Sequence, residues 1–302
     1  MVFDTWTHEE SIQQKGGCFM SEQVSFDALM PASMASKAET IGVNKGNMDA
    51  VSMFFLAILA GAFIAMGAVF CTTAVTGGGD LPYGVTKLLG GLTFCLGLIL
   101  VVVAGAELFT GNNLIVMAVA SKKLPVSKLM RNWVIVYVGN LVGSVVTAYL
   151  MYMTRTWETG AGGALGITAL NIAGGKAGLT FTVALTRGIF CNALVCLAVW
   201  LCFSARSVEG KILAILFPIA AFVAAGFEHC VANMYFIPAG LFIKMGASAE
   251  YLAGAKSSAL ASLTWGNFFI GNLLPVTIGN IIGGSGFVGA VYWIVYRRKE
   301  KK

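Results

Sequence analysis

The chain has 302 residues, of which 57% are hydrophobic and only 11% charged, and its net charge is +6. Its mean hydropathy is +0.80, whereas a soluble globular domain has about 25% charged residues. Apolar runs of about 20 residues or more, the length that crosses a bilayer, recur along the sequence. The composition therefore excludes a soluble globular protein and indicates an integral membrane protein.

The N-terminal end, which precedes the first apolar run, has two parts. Residues 1–24 form a polar extension that we predict to be disordered. In the segment 25–48, apolar residues at helical spacing predict a short amphipathic helix on the cytoplasmic face of the membrane; they are Phe26, Leu29, Met30, Met34 and Ala38. No charged stretch followed by an apolar core begins the chain, so no cleaved signal peptide is predicted.

Six apolar runs predict six transmembrane segments in a single domain, residues 49–298, which a basic tail, 299–302, follows. The runs are 52–76, 88–120, 132–154, 180–204, 212–243 and 265–296. The second and the fifth are longer than the ~20 residues that a bilayer needs, which predicts interrupted helices. We place one interruption at the Thr-Gly-Asn-Asn run 110–113. The other is placed at Pro238, because a proline inside a helix costs about 3 kcal/mol.

The distribution of basic residues predicts the topology. Fourteen of the 20 Lys and Arg residues lie in the N-terminal segment, the second and fourth loops and the C-terminal end, and six lie on the opposite side. Basic residues accumulate on the cytoplasmic side, so both termini are predicted to be cytoplasmic. The positive net charge reflects this bias and contact with anionic lipid rather than nucleic-acid binding.

The seven cysteines show no spacing typical of a disulfide framework or a metal cage. Most of them fall within predicted spans, where they are interpreted as small apolar packing residues. No metal and no cofactor is predicted.

Two motifs recur in the same order in the two halves of the chain. The pattern G-x-E-x4-N occurs at 105–112 and at 226–233, each time in the middle of an overlong span. The pattern N-x7-N-x2-G occurs at 132–143 and at 272–283. Because each unit has three spans, an odd number, the two units enter the membrane from opposite sides, as in an inverted repeat. Proteins built this way place their transport path between the repeats, where the helices are broken.

Glu107, Glu228 and His229 are the ionisable residues deep in the predicted spans. The two glutamates occupy equivalent repeat positions, so we interpret them as structural residues of the broken helices, together with Asn112 and Asn233. Each glutamate would cap freed amides or bridge to the other half. The repeat counterpart of His229 is Leu108, so symmetry does not explain the histidine. It is either a packing residue or a group that donates or accepts a proton in a pore.

The strings GGLTFCLGLILVVVAGAELFTGNNLIV, RNWVIVYVGNLVG, GFEHCVANMYFIP and NLLPVTIGNIIGG resemble the signatures of the formate/nitrite transporter family. The resemblance extends from about Phe26 to Tyr296. It implies an all-α protein of six transmembrane helices, with an aquaporin-like protomer in which helices 2 and 5 are broken. It also implies a homopentamer in the bacterial inner membrane, each protomer having its own pore for formate or similar small monovalent anions.

The same resemblance implies roles for individual residues. His229 corresponds to a central histidine, and Thr110 to a threonine that hydrogen-bonds it from a flexible loop. The constrictions correspond to Phe94 and Phe222 on the periplasmic side, and to Leu98, Leu108 and Phe109 on the cytoplasmic side. The basic residue of the periplasmic vestibule corresponds to Lys176, and two pore-lining asparagines correspond to Asn192 and Asn272. Glu107 departs from the family pattern, because the loop of family members can carry Asp at this position. A carboxylate is nevertheless retained here.

These residue types suggest a mechanism and leave several alternatives. An apolar ring opposes a bare anion, and Lys176 would concentrate anions at the mouth. His229 would then either protonate the anion or hold it by a charge-assisted hydrogen bond. Nitrite and hydrosulfide are alternative substrates within the family. An aquaporin-type channel lacks support, because such channels depend on paired Asn-Pro-Ala motifs and no Asn-Pro occurs in this sequence. A membrane enzyme also lacks support, because no nucleophile-base pair, metal cluster or cofactor motif is found.

Overall fold

The computed structural model describes residues 28–298, and this part of the protein is all-helical. The predictions made for the extension 1–24, for residues 25–27 and for the tail 299–302 lie outside the described residues. In chain order the helices are α1 (Pro31–Asn47), α2 (Ala50–Val75), α3 (Tyr83–Ala104), α4 (Gly111–Ala120), α5 (Val126–Met153), α6 (Ala164–Ala177), α7 (Phe181–Ser204), α8 (Val208–Ala224), α9 (Cys230–Gly246), α10 (Ala249–Leu252), α11 (Ser257–Ser262) and α12 (Asn267–Tyr296).

The predicted membrane spans correspond to these helices. Within the described residues, α2, α3, α5, α7 and α12 are long and apolar enough to cross a bilayer. The second span continues beyond α3 as the short helix α4, and the fifth consists of α8 and α9, each of 17 residues. Six spans with the second and fifth broken are therefore confirmed.

The two halves of the chain repeat the same packing. In the first, α2 packs against α3 and α5; in the second, α7 packs against α8 and α12. The halves meet where α3 lies against α8 and α5 against α9. The broken helices α3–α4 and α8–α9 thus lie between the repeats, as an inverted-repeat transporter requires.

Each break begins at a glycine with left-handed backbone. Gly105 has φ +82° after α3, and Gly226 has φ +72° after α8. Glycine adopts this conformation without steric cost, whereas other residues do not. The first break therefore precedes α4, which begins at Gly111, so our placement of it at residues 110–113 was too late in the chain. The second break precedes α9, and our placement of it at Pro238 was wrong. Pro238 lies inside α9, and membrane helices tolerate such a proline where nearby groups satisfy the freed backbone.

The second repeated motif is explained by close helix packing. A Cβ added to Gly143 in α5 would collide with the carbonyl oxygen of Ile58 in α2. A Cβ added to Gly283 in α12 would collide in the same way with the carbonyl oxygen of Ile189 in α7. Both glycines are therefore required for the outer helices of each repeat to approach each other.

Two short helices lie beside the membrane bundle. The helix expected within 25–48 is α1, which begins at Pro31 and packs against α4, α5 and α7. Its face toward the protein includes the fully buried Glu39. Helix α6 was not predicted, because its 14 residues are too few to span a bilayer. It packs against α9 and α11 and carries Lys176 at its C-terminal end.

Candidate functional site

Two cavities enter the bundle from opposite ends. The first, here called the α1 chamber, has a volume of about 430 Å³ and is lined partly by Lys45, Leu98, Glu107 and Leu108. The second, the α6 chamber, has a volume of about 540 Å³; among its lining residues are Phe94, Lys176, Arg187, Phe222 and His229. Each chamber therefore reaches one of the helix breaks.

Apolar side chains lie between the two chambers. Phe94 and Phe222 line the α6 chamber, and their rings meet edge to face with centroids 5.7 Å apart. Leu98, one turn further along α3, and Leu108 line the α1 chamber. All four side chains are buried. An anion that passes from one chamber to the other must cross this apolar layer.

His229 lies at the inner end of the α6 chamber and is held through both ring nitrogens. Nδ1 accepts a hydrogen bond from the Ala232 amide at 3.0 Å, which makes the histidine the N-cap of α9. Nε2 lies 2.8 Å from Oγ1 of Thr110, and both residues are buried. An amide can only donate, so Nδ1 must have a free lone pair. The geometry thus assigns the neutral tautomer, with the proton on Nε2 donated to Thr110.

Thr110 is fixed by the other half of the molecule. Its carbonyl oxygen accepts hydrogen bonds from Nδ2 of Asn192 at 3.3 Å and from Sγ of Cys196 at 3.3 Å, both in α7. Asn192 also donates to the carbonyl oxygen of Asn280 at 2.7 Å. The loop of the first break is thereby tied to the second repeat at the point where it meets His229.

The glutamate of the first break belongs to a hydrogen-bonded network. Glu107 accepts from Nζ of Lys45 at 2.6 Å and from Nδ2 of Asn112 at 2.7 Å. Asn112 also donates to Asn132 at 2.9 Å, and Asn132 donates to the carbonyl oxygen of Lys45 at 3.2 Å. The buried carboxylate is therefore neutralised by a lysine from α1.

The second break repeats this network with the residues of its own half. Glu228 accepts from Nζ of Lys176 at 3.0 Å and from Nδ2 of Asn233 at 2.7 Å. Asn233 donates to Asn272 at 2.7 Å, and Asn272 donates to the carbonyl oxygen of Lys176 at 2.9 Å. The two networks differ at the asparagine of the G-x-E-x4-N motif: Lys45 also donates to Oδ1 of Asn112, whereas Oδ1 of Asn233 has no partner among the described residues.

Asparagines, not the glutamates, cap the freed amides. Oδ1 of Asn140 accepts from the Phe109 amide at 2.9 Å, and its Nδ2 donates to the carbonyl oxygen of Glu107 at 2.9 Å. Asn280 makes the same two bonds to the first amide of α9 and to the carbonyl oxygen of Glu228. Each carboxylate instead binds a lysine and an asparagine of its own half. The glutamates therefore neither cap the freed amides nor bridge to the other half, contrary to our prediction.

Three side chains lie away from the positions expected of them. Asn192 and Asn272 are fully buried and occupied by the hydrogen bonds described above, and neither is among the residues lining the two chambers. The ring of Phe109 packs against Trp133 and Tyr137, with centroids 6.0 and 5.0 Å away. Both asparagines therefore belong to the hydrogen-bond networks of the helix breaks, and the part of Phe109 in a constriction stays a prediction.

Several basic residues of the chambers were missed by the sequence analysis. Lys37, Lys45 and Lys211 line the α1 chamber, and Lys87 and Arg187 line the α6 chamber beside Lys176. Burial, together with the neighbouring charges of Arg206 and Lys211, lowers the pKa of Lys37. The sequence signal was present, since all of them were counted as flanking charges, but that count does not tell which charges face a cavity.

No group of three or more His, Cys, Asp or Glu residues in the range 28–298 is arranged to hold a metal ion. The six cysteines in this range are free and buried. Cys18 lies outside the described residues.

The comparison with known families decides the classification. A family model described as formate/nitrite transporter matches residues 32–294. The chain belongs to the formate/nitrite transporter family. This is a family of channels and transporters, and the resemblance found in the sequence motifs is confirmed.

Relatives within the formate/nitrite transporter family match over most of their length. The chain is 47% identical to the formate channel FocA of Escherichia coli K12 over 277 residues, which are 91% of this chain and 97% of that protein. It is 41% identical to a probable formate transporter of Methanothermobacter thermautotrophicus, with 89% and 97% of the two chains covered.

Solved structures of this family share the fold. A pentameric formate channel with formate bound has a TM-score of 0.76 and 49% identity, and the match covers 82% of this chain and 97% of that one. A second structure, a family ion channel, has a TM-score of 0.72 and 27% identity, with 87% and 98% covered.

Proposed function

We propose that this protein is a channel for formate and similar small monovalent anions in the bacterial inner membrane. We further propose a homopentamer in which each protomer has its own pathway. The FocA relatives and the pentameric formate channel structure support both statements. The observation that carries the proposal is the Thr110–His229 pair. His229 lines the α6 chamber, and the apolar layer separates this chamber from the α1 chamber; basic residues line both.

The chambers provide the first step, the collection of anions. Each contains several lysine or arginine side chains and one buried glutamate, which is paired with a lysine. The excess positive charge raises the local concentration of anions. With both termini cytoplasmic, the α1 chamber is the cytoplasmic vestibule and the α6 chamber the periplasmic one.

The apolar layer and His229 provide the second step. Phe94, Phe222, Leu98 and Leu108 strip water from the anion, which is unfavourable unless another group compensates the charge. The Nε2–H group of His229 stabilises the charge when the anion displaces Thr110 as its acceptor. A small planar ion such as formate or nitrite fits this role, and so does hydrosulfide.

Protonation of the anion requires an additional event. The neutral histidine donates a hydrogen bond through Nε2 but has no proton to give away, because losing it would leave an imidazolate. A transferable proton must first be added at Nδ1, which is possible only when the bond from the Ala232 amide breaks. We therefore propose hydrogen-bonded passage of the anion in the described arrangement, and proton-linked passage when this cap opens.

Flux measurements in proteoliposomes test the proposal. We expect uptake of formate, nitrite and hydrosulfide to exceed that of chloride, glycerol and water. We also expect formate flux, measured between about pH 4.5 and pH 7.5, to depend on pH, because an added proton competes with the Ala232 amide for Nδ1 of His229. His229→Asn keeps hydrogen-bonding capacity at similar volume and is expected to abolish the proton uptake that accompanies formate and to flatten the pH profile.

A pH dye inside the vesicles reports the proton-to-formate ratio. Formate uptake no faster than in empty vesicles would reject the channel function itself. If the folded His229→Asn protein keeps the parent's pH profile and proton ratio, His229 is a packing residue and the proposed mechanism is wrong.

A further inference from the structure

Arg187 lies beside the second helix break and lines the same chamber as His229. Its carbonyl oxygen accepts a hydrogen bond from the Glu228 amide at 3.3 Å, so the backbone of α7 at this residue touches the break itself. Its side chain is exposed and lines the α6 chamber. An arginine within a membrane-spanning helix is energetically costly, and such residues mark a substrate path or a functional partner.

The inverted repeat identifies the residue that symmetry would place here. The Glu107 amide donates to the carbonyl oxygen of Leu56 at 3.2 Å, as the Glu228 amide does to that of Arg187. The next residues agree, since the carbonyl oxygens of Ala57 and Gly188 accept from Asn140 and Asn280 respectively. Leu56 lines the α1 chamber. A leucine at this position is thus compatible with the packing of the first repeat. The arginine at the equivalent position of the second repeat needs another explanation.

The charges of the α6 chamber supply that explanation. Three cations line it, Lys87, Lys176 and Arg187, against one carboxylate, Glu228. Lys176 is paired with that carboxylate at 3.0 Å. No acidic side chain in the range 28–298 forms an ion pair with Arg187. The guanidinium group therefore faces the chamber with its charge uncompensated by protein.

We propose that Arg187 is a substrate-binding and specificity residue of the α6 chamber, which holds the two oxygens of a planar anion before the anion reaches His229. The guanidinium fork donates two parallel hydrogen bonds to a carboxylate or nitrite, whereas chloride and hydrosulfide offer only a single acceptor atom. The residue thus favours two-oxygen anions over single-atom anions of the same charge. This inference rests on the proposed channel function and adds a binding site to it.

Two variants separate the charge of Arg187 from its geometry. In Arg187→Lys the charge remains and the fork is lost, and we expect the KM for formate and nitrite to rise about threefold while chloride and hydrosulfide fluxes stay unchanged. In Arg187→Gln both are lost, and we expect the KM for formate to rise about tenfold, as the loss of a charged hydrogen bond predicts. Lys256→Gln, which removes an exposed charge on the same side but outside the chamber, is the matched control with parental KM values.

The measurements are initial uptake rates into proteoliposomes as a function of external anion concentration, after size-exclusion chromatography has shown that each variant assembles as the parent does. Two ratios of uptake rates decide the inference: formate to chloride, and nitrite to hydrosulfide. The inference is overturned if each ratio has the same value in the parent, in Arg187→Lys and in Arg187→Gln. A parent that carries nitrite but not formate would reject formate as the substrate, while the nitrite-to-hydrosulfide ratio still decides the role of Arg187. A parent that carries no anion would reject both.

Discussion

In the proposed channel, Thr110 and the anion compete for one hydrogen atom, the proton on Nε2 of His229. Nε2–H of His229 is donated to Oγ1 of Thr110 at 2.8 Å in the described arrangement, so an anion must displace the threonine before it is held. Exchanging the Thr110 hydroxyl for the anion as acceptor costs little free energy when both are within reach of Nε2–H. The reverse exchange is equally easy, so the anion can leave again. A weak, replaceable partner at this point favours conduction over tight binding.

Thr110→Val tests this competition, because valine has the same shape and cannot accept a hydrogen bond. The anion then no longer has to break a bond worth about 0.5–1.5 kcal/mol, so we expect the KM for formate to fall about threefold. Thr110→Ser keeps the hydroxyl and should retain the parental KM. The idea fails if the serine and valine variants show the same KM in proteoliposome uptake.

At the scale of elements, α1 connects the end of the chain with the first helix break. Its fully buried Glu39 accepts hydrogen bonds from Arg297 at 3.0 and 3.1 Å and also binds Lys123 and Ser121. Two turns further on, the same helix presents Lys45 to the buried Glu107. The position of the lysine in the α1 chamber therefore depends on how Glu39 docks the helix.

The docking of α1 is expected to depend on pH. Burial alone would raise the pKa of Glu39, but hydrogen bonds from Arg297, Lys123 and Ser121 outweigh it and hold the pKa below the ordinary value of 4.5. A carboxyl group with a lowered pKa in the folded state stabilises it fully above the ordinary value, and this stabilisation is lost as the pH falls through the lowered pKa. Glu39→Gln, which removes the carboxylate that accepts from Arg297 and Lys123, should cost about 1.5–3 kcal/mol at neutral pH, as expected for hydrogen bonds to a charged group.

Hydrogen exchange of α1 amides, corrected for intrinsic rates, measures this docking. We expect constant protection from neutral pH to about pH 5 and a decline on stronger acidification. Glu39→Gln should be poorly protected at every pH. Glu209→Gln, at an exposed site on α8, serves as the control. Parental protection in Glu39→Gln would contradict this role for Glu39.

The membrane-spanning helices were predicted from the sequence more accurately than the contacts of individual side chains. Hydropathy located all six spans, and their length revealed which two were broken, because membrane thickness fixes how many residues a helix needs. The position of the second break depended on the backbone freedom of Gly226 rather than on Pro238, which lies inside α9. The sequence analysis did not identify Lys45 and Arg187 as site residues. Their proposed roles depend on which cavity they face, and a linear pattern of flanking charges does not contain that information.

At the scale of the whole molecule, each protomer contains a complete candidate pathway. Both chambers and the apolar layer between them are formed by one chain. The outer surface carries large exposed apolar side chains such as Phe55, Phe217 and Ile270, which suit contact with lipid or with neighbouring protomers. A pentamer of such chains would therefore conduct through five independent pathways.

Mixed pentamers test this independence. Gly175 lines the α6 chamber, and a side chain added there meets open space, so Gly175→Trp should block a protomer without disturbing its packing. When parent and variant are coexpressed at known ratios, formate flux per pentamer should fall linearly with the variant fraction, to about half at equal amounts. A steeper fall, with native mass spectrometry confirming random mixing, would indicate a pathway shared by all protomers.

The hydrogen bond that begins α9 also bears on proton leak. A histidine relays protons across a membrane by accepting one at the first ring nitrogen and releasing another from the second. Nδ1 of His229 is occupied by the Ala232 amide, and the positive end of the α9 dipole opposes a second charge on the ring. An idle channel therefore cannot carry protons alone through this residue. In the proposed channel, the bond that starts α9 would thus preserve the proton gradient while small anions cross.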